Sequence, residues 1–126
     1  MSAVLNIYNS ITDEKPSKTF TCFRTTMAIN NKLEEITEEI NDITAQVNEM
    51  TAHITADTPK EEVKKIKKAI KPLEEKASQL TLESIQLFFP EFTAEDFLKL
   101  DPFDYQSFCF EIGEMRGKVF SRTQKN

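Results

Sequence analysis

The chain has 126 residues, a net charge of −5, a pI near 5.0, 39% hydrophobic and 29% charged residues. That composition supports one modest core, argues against wholesale disorder, and sets a like-charged surface against a phosphate backbone, so no nucleic-acid partner is expected. No run approaches the roughly 18 consecutive apolar residues of a membrane span; Met1-Ser2-Ala3-Val4-Leu5 lacks the segments of a secretion signal, and Cys22 and Cys109 are too few for a disulfide scaffold. No membrane association and a cytoplasmic location are therefore expected. Two glycines leave little scope for tight turns, which predicts a mainly α chain and excludes a glycine-rich nucleotide loop.

The chain opens on two short, partly alternating apolar runs, Ala3–Tyr8 and Lys18–Arg24, around a polar stretch from Asn9 to Ser17. This predicts an N-terminal β-hairpin with a long loop over residues 1–24. Leu33, Ile36, Ile40, Ile43, Val47, Met50 and Ile54 follow at heptad spacing, with Thr25 or Thr26 as the helix cap. After an interruption at Thr55–Thr58, Thr58-Pro59-Lys60-Glu61 restarts a helix, and Val63, Ile66, Ile70, Leu73, Ala77 and Leu80 repeat the spacing across Pro72. Residues 32–49 carry a local charge of −5 and residues 60–76 of +3, so a short loop and opposite charge predict a long antiparallel helical hairpin, a coiled-coil-like arm over 25–80. Its first helix would run roughly 40 Å.

The last third is aromatic: eight of the ten phenylalanines fall between residues 88 and 120. Thr81, Thr93 and Asp101 each stand where a helix can start, predicting a bundle of short helices over 81–116 and a flexible tail over 117–126. The whole is expected to be a single domain.

Catalytic chemistry has little to draw on. His53 is the sole histidine and stands near the predicted hairpin tip; Cys22 and Cys109 have no cationic neighbour in sequence. The glutamate pairs flank the seam without histidine partners, so neither a metal site nor a cofactor is expected. Lys64-Lys65 and Lys67-Lys68 are most simply partners of the acidic first helix. The chain is therefore expected not to be an enzyme. Two features suggest interaction instead. The seam of Leu33, Ile36, Ile40, Ile43 and Val47 with Val63, Ile66, Ile70 and Leu73 closes within the chain or recruits helices of other chains, and the two are compatible. The aromatic set is too dense to be wholly core, and Phe89, Phe92, Phe97, Phe103, Tyr105 and Phe108 are the candidates for a partner surface.

The order of elements and the run Ile85-Gln86-Leu87-Phe88-Phe89-Pro90-Glu91-Phe92-Thr93-Ala94-Glu95-Asp96-Phe97-Leu98-Lys99-Leu100-Asp101 resemble the tail assembly chaperones of long-tailed (siphovirus-type) phages of Gram-positive bacteria. The resemblance implies a protein of the host cytoplasm that, in several copies, holds the helical tape measure protein. It also implies a longer form, made by ribosomal frameshifting, that recruits the tail tube protein. The alternative reading is a self-associating coiled-coil scaffold or a phage-encoded inhibitor or adaptor.

Overall fold

Alternation at Ala3, Leu5 and Ile7 builds β1 (Ala3–Ile7), which pairs antiparallel with β2 (Lys18–Cys22) in the register Ala3↔Cys22, Leu5↔Phe20 and Ile7↔Lys18. The computed structural model describes the backbone of residues 2–124 and side chains as far as residue 117. Four helices follow: α1 (Met27–Thr51), α2 (Lys60–Phe88), α3 (Ala94–Leu98) and α4 (Pro102–Gln124). The chain is mainly helical with an N-terminal β-hairpin, a long helix pair and C-terminal helices, as its composition predicts. It divides into two compact units, one of Met1–Asn31 with Ile85–Asn126 and one of Lys32–Ser84.

In the first unit the period of two puts Ala3, Leu5, Ile7, Phe20 and Cys22 on one buried face. Two strands alone are marginal in water, and here α4 packs against β1 while Leu100 forms an isolated antiparallel bridge to Ile7. The core is a chain of rings: Phe20 lies 5.3 Å from Phe89 and 5.4 Å from Phe92, and Phe108 lies 5.6 Å from Phe89 and 5.9 Å from Phe88. All four pairs are tilted or edge-on, the kind of geometry that ring quadrupoles favour over a face-to-face stack. Ile85, Ile112 and Met115 complete the buried set.

The second unit is the antiparallel helical hairpin. Ile36, Ile43, Ile70 and Leu80 are buried, while Leu33, Ile40, Val47, Val63, Ile66 and Leu73 are half-buried. The heptad spacing thus describes the packed face, and two helices alone leave its flanks open. The expected charge pairing does not hold this hairpin together. Lys64, Lys65, Lys67 and Lys68 are exposed and form no ion pair among the described residues. The antiparallel course explains this, because it lays those lysines alongside Ile43–Val47, a stretch without a carboxylate.

Three local expectations change. Thr58 does not cap α2; its hydroxyl accepts the Thr55 N–H at 2.8 Å within the connecting loop. Thr81 does not start a helix, because α2 runs unbroken from Lys60 to Phe88 through Pro72, and the Thr81 hydroxyl donates to the Ala77 carbonyl at 2.8 Å inside it. The last helix continues to Gln124, past residue 116 where a tail was expected; Lys125 and Asn126 lie outside the described residues. The caps at Thr26, whose hydroxyl accepts the Ile29 N–H at 3.2 Å, and at Asp101, whose carboxylate accepts the Phe103 N–H at 2.8 Å, form as the sequence predicts.

Candidate partner-binding surface

Burial divides the aromatic candidates. Phe89, Phe92 and Phe108 are at most 3% exposed and belong to the core, so these three do not form a docking surface; contact with Phe20, distant in sequence, covers the first two. Phe97 and Tyr105 are half-buried. Phe103 stands 79% exposed, and Phe110, seven residues on and on the same face of α4, is 68% exposed.

The structure adds residues that the sequence did not single out. The loop between the strands is stiffened by its own hydrogen bonds: the Ser10 N–H donates to the Asp13 carboxylate at 3.1 Å and the Asp13 N–H returns to the Ser10 carbonyl at 3.1 Å. At its base the Ser17 N–H donates to the Ile7 carbonyl at 2.7 Å. This turn holds Ile11 fully in solvent. Opposite stands the segment Leu98–Pro102, fixed by the Ile7–Leu100 bridge and by Lys99, whose Nζ donates to Asn9 Oδ1 at 3.3 Å. Between the two walls lies an open cleft of about 600 Å³, lined by Tyr8, Ile11, Leu98, Leu100 and Pro102 with Asp13, Glu14 and Asp101. Leu98 is 85% exposed. The only signal for Ile11 in the sequence is an isoleucine set among Asn, Ser, Thr and Asp; the one-turn α3 is too short to show a period for Leu98.

The short helix that leads into this wall, α3 with its cap Thr93, is positioned by Asp96. Thr93 caps α3 in a reciprocal box with Asp96, each accepting the other's backbone N–H at 3.1 Å. Lys18 Nζ of β2 donates to Asp96 Oδ1 at 3.0 Å, tying the wall to the hairpin. Burial pushes the Asp96 carboxyl up, but the Lys18 hydrogen bond and the backbone and side chain of Thr93 together outweigh it and hold it below the ordinary value. Nearer the cleft, burial and then the Asp101 charge push the Asp104 carboxyl up.

The electrostatics of the cleft are acidic. Of its four charged side chains Asp13, Glu14 and Asp101 are negative, and the cation, Lys99, is engaged with Glu95 at 3.6 Å and with Asn9. No group of His, Cys, Asp and Glu among the described residues is placed to hold a metal ion. Cys22 is buried, its thiol pushed up by burial more than its hydrogen bond to the Arg24 carbonyl lowers it. Cys109 is exposed, yet desolvation at the sulfur raises it more than the Tyr105 hydrogen bond lowers it. Neither thiol has the depressed value of an activated nucleophile. Exposed His53 lies in the connection between α1 and α2. No helix among the described residues is long and apolar enough to cross a membrane. Comparison with known proteins returned no matching family model, no matching curated protein and no matching solved structure.

Proposed function

We propose that this protein is a non-enzymatic tail assembly chaperone, acting in several copies in the bacterial host cytoplasm to hold the helical tape measure protein until the tail tube forms around it. The observation that carries the reading is a unit whose aromatic core is closed, yet which keeps Ile11 and Leu98 in solvent on an acidic cleft, and Phe103 and Phe110 in solvent on one face of α4. Large apolar side chains left in solvent beside a closed core mark a protein-binding surface, and acidic walls suit an amphipathic helix with basic residues beside its apolar stripe. Cofactors have no part in this reading.

The test is co-expression with the tape measure protein encoded in the same genome. Capture of that protein in soluble form is expected, and Leu98→Asp with Phe103→Asp should weaken it by roughly tenfold or more at unchanged helicity. Capture that survives both substitutions overturns the assignment of the surface. For the longer form that recruits the tail tube protein, the −1 reading frame is expected to stay open past the codons of Gln124-Lys125-Asn126; an immediate stop there removes that part. The half-open seam of the helical hairpin favours a second reading, a self-associating scaffold, which predicts a closed oligomer indifferent to the tape measure protein.

A further inference from the structure

The helical hairpin carries two charged bands that its own fold keeps apart. Lys64, Lys65, Lys67 and Lys68 form a basic band on α2, exposed and without an ion pair among the described residues. Glu38, Glu39 and Asp42, with Glu35, form an acidic band on α1; all four are exposed, and Glu35 has only Lys32 of its own helix, at 3.6 Å. Residues equally distant from the connection at 52–59 lie side by side in an antiparallel pair, so the lysines stand beside Ile43–Val47 and the acidic band beside residues 69–76. At about 1.5 Å per residue, the band centres are offset by roughly 10 Å along the hairpin. The same unit leaves the seam residues Leu33, Ile40, Ile66 and Leu73 only half-buried, so the seam is open at its flanks.

We infer that this hairpin docks on the hairpin of a second copy of the chain, antiparallel about a two-fold axis, forming a four-helix bundle. Two-fold pairing is the arrangement that satisfies both bands at once: turning the second copy end for end sets its acidic band on the first copy's lysines and its lysines on the first copy's acidic band. The open flanks of the two seams meet between them, adding apolar burial to a contact whose charges fix direction and register. A different acidic partner would answer the lysines alone. A second copy answers the lysines, the carboxylates and the open seam. The inference concerns a different unit from the cleft and does not rest on the tail-assembly reading.

The test uses the full chain in light scattering and sedimentation. The wild type is expected to dimerise at low salt, with affinity falling by roughly tenfold or more at high salt as the bands are screened. Lys64→Glu, Lys65→Glu, Lys67→Glu and Lys68→Glu together should abolish association, as should Glu35→Lys, Glu38→Lys, Glu39→Lys and Asp42→Lys together. An equimolar mixture of the two reversed variants should associate again, since each then supplies the sign that the other lacks. Far-UV dichroism checks that each set remains helical, and the lysine-to-glutamine set replaces a set that does not, with a loss of roughly tenfold expected. A monomeric wild type, reversed variants that associate like the wild type, or a mixture of folded variants that stays monomeric each overturns the inference. So does tight binding of a labelled DNA duplex by a monomeric wild type that the lysine reversals remove, which would assign the basic band to nucleic acid.

Discussion

A carboxylate that is 3% exposed and still ionised needs several partners, and Asp96 has them in Lys18 and in the backbone and side chain of Thr93. Because its folded value is depressed, its stabilisation is fully present above the unfolded carboxylate value of about 3.9 and is lost as the pH falls through the lower folded value. Asp96→Asn is therefore expected to cost about 1–3 kcal/mol at neutral pH. The wild-type and variant stabilities should converge on acidification, as chemical denaturation at a series of pH values would show; curves that stay parallel would refute the charge-based account. At the same scale Phe92, 1% exposed and edge-on to Phe20, should cost about 3–5 kcal/mol when replaced by alanine, read from the same denaturation curves. Asn30 is fully buried; its Oδ1 accepts the Thr25 hydroxyl at 3.0 Å and its Nδ2 has no partner among the described residues.

At the scale of elements, α2 is the test of seam against backbone. Pro72 stands inside it and removes an N–H donor, yet the helix continues on both sides. Ile70 and Leu73 flank the proline in register, and their packing offsets the lost hydrogen bond. Pro72→Ala is then expected to stabilise the hairpin by about 2 kcal/mol and to raise its thermal midpoint by several degrees; an unchanged or lowered midpoint would mean that the proline shapes the seam. The sequence shows these elements where a period repeats: the strands through Ala3, Leu5 and Ile7, the helix pair through its heptads. It fails where a side chain has competing uses, since the hydroxyls of Thr58 and Thr81 are equally fit to cap a helix, bond within a loop or bond inside a longer helix. The candidate surface is less legible still. Phe89, Phe92 and Phe103 look alike in the sequence, and only the approach of Phe20 decides that the first two are covered. Ile11 is set in solvent by a turn that no period announces.

For the whole molecule, the division into two units separates two kinds of surface: an acidic cleft with exposed apolar side chains on one, and paired charge bands on the other. Substitutions at Leu98 and Phe103 are accordingly expected to leave self-association unchanged, and charge reversals at Lys64–Lys68 to leave the denaturation signature of the Phe20 core unchanged. Sedimentation and near-UV dichroism on the same variants check both.

The first unit is also discontinuous, since its strands come from the start of the chain and their covering helices from the last third, with Lys32–Ser84 between. During synthesis the ribosome therefore releases β1 and β2 well before the residues that bury them. From Asn31 to Met115 is about 80 residues, on the order of 4–17 s at roughly 5–20 residues per second. Throughout that interval Leu5, Ile7 and Phe20 are open to solvent while the continuous helical hairpin is free to form. A force profile of nascent chains should register the hairpin first and the aromatic core only after Met115 has emerged.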